Sequence, residues 1–152
     1  MKLYLCEKPS QGREIASHIG ARTRGDGCIT GNGVSVTWGI GHLVEQAKPE
    51  YYNPALKFWD IAHLPVLPDE WHMEVKHQTR DQYKIVSKLL KQATEVVIAT
   101  DADREGEVIA RELMQLNGYR GKVSRLWLSA FDDASVKKAL ANILPGEKTL
   151  PM

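Results

Sequence analysis

The stretch that decides the fold is Glu95-Val96-Val97-Ile98-Ala99-Thr100-Asp101-Ala102-Asp103-Arg104-Glu105-Gly106-Glu107-Val108-Ile109. Val96 to Ala99 is continuously apolar, as a strand covered by helices on both faces must be. The acids follow at once, and Ile109, Leu113 and Leu116 then trace a helix that stops at Asn117-Gly118. A buried strand running straight into a helix is one half of a parallel α/β unit. In open sheets of that kind ligands sit at the carboxyl ends of the strands, where Asp101, Asp103 and Glu105 fall.

Working outward, Lys2 to Cys6 alternates as a strand and leads through Glu7-Lys8-Pro9-Ser10 into a short helix marked by Ile15, Ala16 and Ile19 and closed by Gly20. Gly25-Asp26-Gly27 and Gly31-Asn32-Gly33 flank Cys28 to Thr30 and Val34 to Trp38, which predicts a β-hairpin interrupting the α/β alternation. A helix follows Thr79, with Val86, Leu89, Leu90 and Ala93 on one face. Val123 to Leu128 reads as a further strand. A last helix follows Asp132, with Val136, Ala139, Leu140 and Ile143 on one face and Pro145-Gly146 beyond it. The pattern predicts an α/β fold, Rossmann-like, with an open, mostly parallel sheet, helices on both faces and an inserted hairpin. Between Pro49 and Trp71 the periodicity fails. Four prolines accompany Tyr51, Tyr52, Phe58, Trp59 and Trp71, which predicts an ordered, irregular excursion over 49–72 with most of these aromatics packed in the core.

The 152 residues suit one domain, and 43% hydrophobic with 26% charged residues is ordinary for a globular chain. No apolar run approaches the ~20 residues of a membrane-spanning helix. No secretory leader pattern is present, so a cytoplasmic address is expected. Cys6 and Cys28 lack zinc-site or disulfide spacing. A net charge of +1 excludes a generally basic nucleic-acid-binding surface, so any contact with nucleic acid must be local.

In extended backbone, residues two apart project to one side, so Asp101 and Asp103 can converge on one point. Helix capping accounts for one Asp and one Glu but not for a second Asp, because clustered carboxylates repel unless a cation or proton offsets them. An oxygen-only donor set favours a hard ion such as magnesium, which keeps water and phosphate oxygens in its shell. Glu7 ends the first strand, and parallel strands can bring it beside Asp101. Taken alone it reads better as an exposed acid at a helix start. Lys8 and Arg104 are cations suited to phosphate oxygens, or else solvated surface charges. His42 reads as structural, and Gly106 as permitting a close backbone approach.

Glu7-Lys8-Pro9-Ser10 together with Thr100-Asp101-Ala102-Asp103-Arg104-Glu105-Gly106-Glu107 resemble the two signatures of the Toprim domain as it occurs in type IA DNA topoisomerases, closest to bacterial topoisomerase III. Gly41-His42-Leu43 and the stretch from Leu64-Pro65 to Trp71 are similar too, and the likeness runs from about Met1 to Ile143. Gly12 stands where the family more often has alanine. The resemblance implies a Toprim domain over 1–144, with 145–152 starting a linker to a missing downstream domain. It implies single-stranded DNA and the remaining domains of the same polypeptide as partners, with strand cleavage, passage and religation through a reversible covalent bond to DNA. It implies Glu7, Asp101 and Asp103 as Mg2+ ligands, with Glu105 in a second tier. Glu7 and Lys8 become catalytic residues, and Lys8 and Arg104 phosphate contacts. A nucleoid-associated location follows. Tyr4, Tyr51, Tyr52, Tyr83 and Tyr119 do not sit in the family's nucleophile motif, so the 152 residues alone are expected not to relax DNA. The alternatives are a free-standing magnesium-dependent Toprim nuclease and a noncatalytic binding module; primases share the fold, but the first signature looks like the topoisomerase version.

Overall fold

A computed structural model describes residues 1–58 and 60–151; Trp59, grouped above with the excursion's aromatics, lies outside the described residues. The strands are β1 (Lys2–Cys6), β2 (Thr23–Gly25), β3 (Cys28–Gly31), β4 (Val34–Trp38), β5 (Val44–Gln46), β6 (Met73–Val75), β7 (Glu95–Ala99), β8 (Lys122–Arg125) and β9 (Leu144–Pro145). The helices are α1 (Pro9–Ile19), α2 (Pro49–Tyr52), α3 (Arg80–Gln92), α4 (Arg104–Leu116) and α5 (Asp133–Ala141).

Seven strands form one sheet in the order β2-β3-β4-β1-β7-β8-β9. β4, β1, β7 and β8 run parallel, and β2, β3 and β9 close the two edges antiparallel. The period-2 alternation of β1 and β7 splits the core into two layers. Leu3, Leu5, Val96 and Ile98 pack with Val86, Leu90, Ile109 and Leu113 of α3 and α4. On the other face Tyr4, Cys6, Val97 and Ala99 meet Ile15 and Ala16 of α1, with Ala139 and Leu140 of α5 alongside. The expected α/β sheet with helices on both faces is therefore present.

The hairpin turns through Asn32 and Gly33, both at positive φ (52° and 73°), as a tight two-residue hairpin turn requires. It is part of the main sheet and not an interruption of it, because β4 pairs with β1 along its whole length. Gly12 explains itself here: a Cβ at that position would lie 2.4 Å from the Trp38 ring, so the indole occupies the space an alanine methyl would need.

The structure adds one feature and corrects one expectation. The packed region runs past residue 144: β9 pairs with β8, Arg111 Nη2 donates to the Gly146 carbonyl at 2.7 Å, and Thr149 is buried. No strong hydrophobic period marks these residues, and it is hydrogen bonding that holds them. The excursion's aromatics are not core. Tyr51, Phe58 and Trp71 are 55%, 77% and 54% exposed. Tyr51 stacks on His72 at 4.4 Å, Tyr52 meets Trp71 edge-on at 6.3 Å, and the Tyr52 hydroxyl accepts from the His72 amide at 2.8 Å. Both sheet faces are already covered by α1, α3, α4 and α5, so these rings pair with one another in the segment that leads into β6.

Candidate metal centre

β1 and β7 are neighbours in register, Cys6 opposite Ala99, so the chain leaves both strands side by side at their carboxyl ends. Glu7 follows directly on one and Thr100-Asp101 on the other. That juxtaposition brings together two acids 94 positions apart: the Asp101 amide donates to Glu7 Oε2 at 3.3 Å.

Lys8 joins them. Its Nζ lies 3.0 Å from Asp101 Oδ2 and 3.4 Å from Glu7 Oε1, so one ammonium holds carboxylates from both strands. The hydrogen bond to Asp101, followed by the charge of Glu7, raises the Lys8 pKa above the ordinary lysine value and keeps it cationic at neutral pH. Gln11 completes the clamp. Its Oε1 accepts from the amides of Glu7 (3.0 Å) and Lys8 (3.1 Å), and its Nε2 donates to Asp101 Oδ1. Gln11 is the third residue of α1, where a glutamine side chain reaches back to free amides at a helix start.

Asp103 takes the capping role. Its backbone is extended and its Oδ1 accepts from the Gly106 amide at 2.7 Å, at the positive end of α4. The two aspartates therefore divide the alternatives weighed above: one caps the helix and the other is held by Lys8 and Gln11. The strand ends at Ala99, so the extended geometry that would aim Asp101 and Asp103 at one point does not persist. Among the described residues no three His, Cys, Asp or Glu side chains converge as ready ligands for one ion. Glu105 is not in the group: it is exposed and faces His42 Nε2 at 3.6 Å. The other nitrogen of His42 lies 3.7 Å from Glu112, so the imidazole sits between two carboxylates of α4. Arg104 is exposed and has no carboxylate within 4.0 Å among the described residues.

The floor of the site is Arg125, which is fully buried. Its Nη1 donates to the carbonyls of Ile98, Thr100 and Leu126 at 3.2, 2.9 and 3.3 Å, and its Nη2 to that of Asp101 at 2.5 Å. Its Nε stands 3.1 Å from Glu107 Oε2. Neither of those two atoms makes a hydrogen bond with a described group, so their contact is a buried charge pair. Burial pulls the guanidinium pKa below its ordinary value, and the Glu107 carboxylate opposes that pull most strongly. Glu107 Oε1 also accepts from Arg111 (3.0 and 2.9 Å) and Thr149 (3.0 Å). The turn is closed by Gly106: a Cβ there would sit 2.3 Å from the Asp101 carbonyl oxygen, the close approach expected of this glycine.

Sequence reasoning missed Gln11 and Arg125. The first had a signal in its position three residues after the helix cap. The second had one in being a charge inside the apolar run from Val123 to Leu128, since arginine is almost never fully buried unless paired.

An open parallel sheet with a glutamate after one central strand and an Asp-x-Asp after its neighbour defines the Toprim architecture, and the Toprim domain family model matches residues 2–131. The chain belongs to the Toprim domain family. It is 40% identical to a protein of Shouchella clausii named DNA topoisomerase 3, over 97% of this chain and 20% of that protein. It is 36% identical to DNA topoisomerase 3 of Haemophilus influenzae, over 100% and 24% respectively. The chain thus spans about a fifth of the length of these relatives. The full-length topoisomerase I of Thermotoga maritima superposes on 96% of the chain with a TM-score of 0.61 at 19% identity, and on 21% of its own length. That likeness is one of fold. No helix among the described residues is long and apolar enough to cross a membrane.

Proposed function

We propose that the chain is the Toprim part of a type IA DNA topoisomerase of the topoisomerase III kind, holding magnesium and single-stranded DNA for strand cleavage, passage and religation. The observation that carries this reading is the Lys8 ammonium shared by Glu7 and Asp101. A single cation already contacts carboxylates from the ends of two parallel strands, and the donor set is all oxygen, so these residues fit a hard ion. Glu7 and Asp101 would hold it, with Asp103 joining through its carboxylate at the start of α4. Glu105, turned toward His42, stands further back. When bound, the ion supplies positive charge against a phosphodiester oxygen.

The chain's own residues do the rest. Glu7, held by the Asp101 amide, carries a proton to or from the 3′ oxygen as the strand breaks or rejoins. Lys8, released from its carboxylates, holds a non-bridging phosphate oxygen, and Arg104 supplies a further exposed cation at the mouth. Gln11 and Arg125 touch no substrate and keep Asp101 in place. None of the five tyrosines is hydrogen-bonded to this centre. Tyr4 is core, and the Tyr119 hydroxyl donates to the Lys122 carbonyl at 3.0 Å. On this reading the nucleophile comes from further domains of the same polypeptide, which acts in the cytoplasm at the nucleoid.

Calorimetric titration of Mg2+ tests the reading. The 152-residue chain is expected to bind weakly, Asp101→Asn to lose at least tenfold in affinity, and supercoiled plasmid to remain unrelaxed in both cases. Unchanged binding in the variant removes the metal centre. A magnesium-dependent nick abolished by Asp101→Asn moves the chain to the nuclease reading.

A further inference from the structure

Away from the acid centre, α1 and the edge strand β2 enclose a cleft of about 280 Å3. Its rim carries Arg13, Arg22, Arg24 and Ser17, and no acidic residue lines it. The floor is apolar: Ala16, Ala21 and Ile29 are buried beneath it. None of the three guanidinium groups has a carboxylate within 4.0 Å among the described residues. Two acids on the neighbouring helices, Glu14 and Asp133, are already engaged. His18 lies 3.5 Å from Glu14 and 3.0 Å from Asp133, and Lys137 holds Asp133 at 2.7 Å.

The backbone dictates this convergence. Arg22 and Arg24 are two apart in extended chain and project to one side, with the Arg22 amide donating to the Thr30 carbonyl at 3.1 Å. Arg13 and Ser17 are four apart on α1 and share a face. Charges on an edge strand are a common guard against edge-to-edge pairing, which accounts for Arg22 and Arg24. It does not account for Arg13 on the helix that faces them. Three uncompensated like charges around one cleft repel, and an anion removes the repulsion. In a chain of net charge +1 the excess is local. Arginine in particular binds phosphate through two parallel N–H groups.

We propose that this cleft is a second binding position for the phosphodiester backbone of single-stranded DNA, with phosphates on the three arginines and the sugar edge over the apolar floor. The proposal rests on the reading of the chain as a DNA-handling domain and extends it along α1, whose cap is Lys8. Arg13 follows Lys8 by five residues, roughly 7.5 Å along the helix. The cleft lies just below the volume of small-molecule sites, which run from about 300 Å3 upward. It suits one strand, where a duplex would need a broad basic face.

The test is fluorescence anisotropy of a labelled oligo-dT strand with the 152-residue chain in EDTA across a salt series. Replacing Arg13, Arg22 and Arg24 together by alanine is expected to weaken binding at least tenfold and to flatten the log K against log salt slope by about 2, at ~0.7 for each phosphate no longer neutralised. The triple lysine replacement keeps most of the slope, and circular dichroism checks that both variants fold. An alanine variant with the affinity and slope of the parent overturns the proposal. So does full displacement of the oligonucleotide by low-millimolar inorganic phosphate, which marks a site for free anions, or equal arginine-dependent binding of duplex DNA. The measurement contains no metal, so failure of the magnesium site leaves its outcome unmoved. A chain that binds no oligonucleotide overturns this proposal and the DNA reading together, whereas binding that ignores the three arginines overturns this one alone.

Discussion

The acid centre and the excursion over 49–72 carry their polar and aromatic side chains in opposite ways. At the centre the polar side chains are tied down from several elements at once: Glu7 to the Asp101 amide, Asp103 to the Gly106 amide, Arg125 to four carbonyls, and the Asp101 carboxylate to Lys8 and Gln11. In the excursion the rings touch mainly one another and solvent, and the secondary structure is one turn of α2 and two short 3-10 turns. A site that must hold like charges close together needs a rigid, buried support, because any slack lets the carboxylates move apart. A segment outside the core has no such load and is held only by local pairing.

The largest break in this contrast is expected from Arg125→Ala. Removing it leaves Glu107 buried with a single guanidinium partner and takes one donor from each of four carbonyls, so a destabilisation of about 3–5 kcal/mol is expected in urea unfolding. The double replacement Arg125→Met with Glu107→Leu should recover part of that stability, because it removes both buried charges while keeping volume, although the carbonyls stay without the guanidinium donor. A cost for the single variant no greater than that of a surface substitution would show that the centre is not supported from below.

The excursion should respond far less. Trp71→Ala removes an exposed ring and one edge-on aromatic pairing, so global stability should fall by no more than about 1 kcal/mol. Amide exchange should accelerate locally around Tyr52 and His72, with the β1 and β7 amides unaffected. Exchange that quickens throughout the sheet would mean that the two regions unfold as one.

A smaller effect comes from His18, on the packed side between α1 and α5. Its pKa is raised, chiefly by the ring hydrogen bond to the Glu14 carbonyl at 3.0 Å and further by Asp133, with burial acting against them. A folded-state pKa above the unfolded value near 6.5 makes the stabilisation complete below that pH and removes it as pH rises through the raised value. Unfolding midpoints should therefore drift down between mildly acidic and mildly alkaline pH, and His18→Asn should flatten the drift. A midpoint profile identical in parent and variant would remove His18 from the energetics of the α1–α5 packing.

Much of this is legible in the sequence. Val96 to Ala99 can only be a strand covered on both faces, and Gly20, Asn32-Gly33 and Asn117-Gly118 mark turns that stand where expected. The pairing of Glu7 with Asp101 follows from parallel strands. Two things are hidden. Hydrophobicity alone puts the aromatics of the excursion in the core, and it cannot register that both faces of the sheet are already occupied. β2 and β9 are too short, at three and two residues, for a periodicity to appear.

What the residues determined by themselves is the element order and the chemistry available at the ends of β1 and β7, because periodicity, turn residues and charge are local properties of the chain. The tertiary structure alone decided which carboxylate does what. Asp101 and Asp103 differ little in sequence context. One meets Lys8 and Gln11 across the strand boundary, and the other meets the amide of Gly106 at the start of α4. The difference arises from where separate elements come to rest, and a fully buried Arg125, which draws the Asp101 carbonyl down to the floor of the site, holds that arrangement in place.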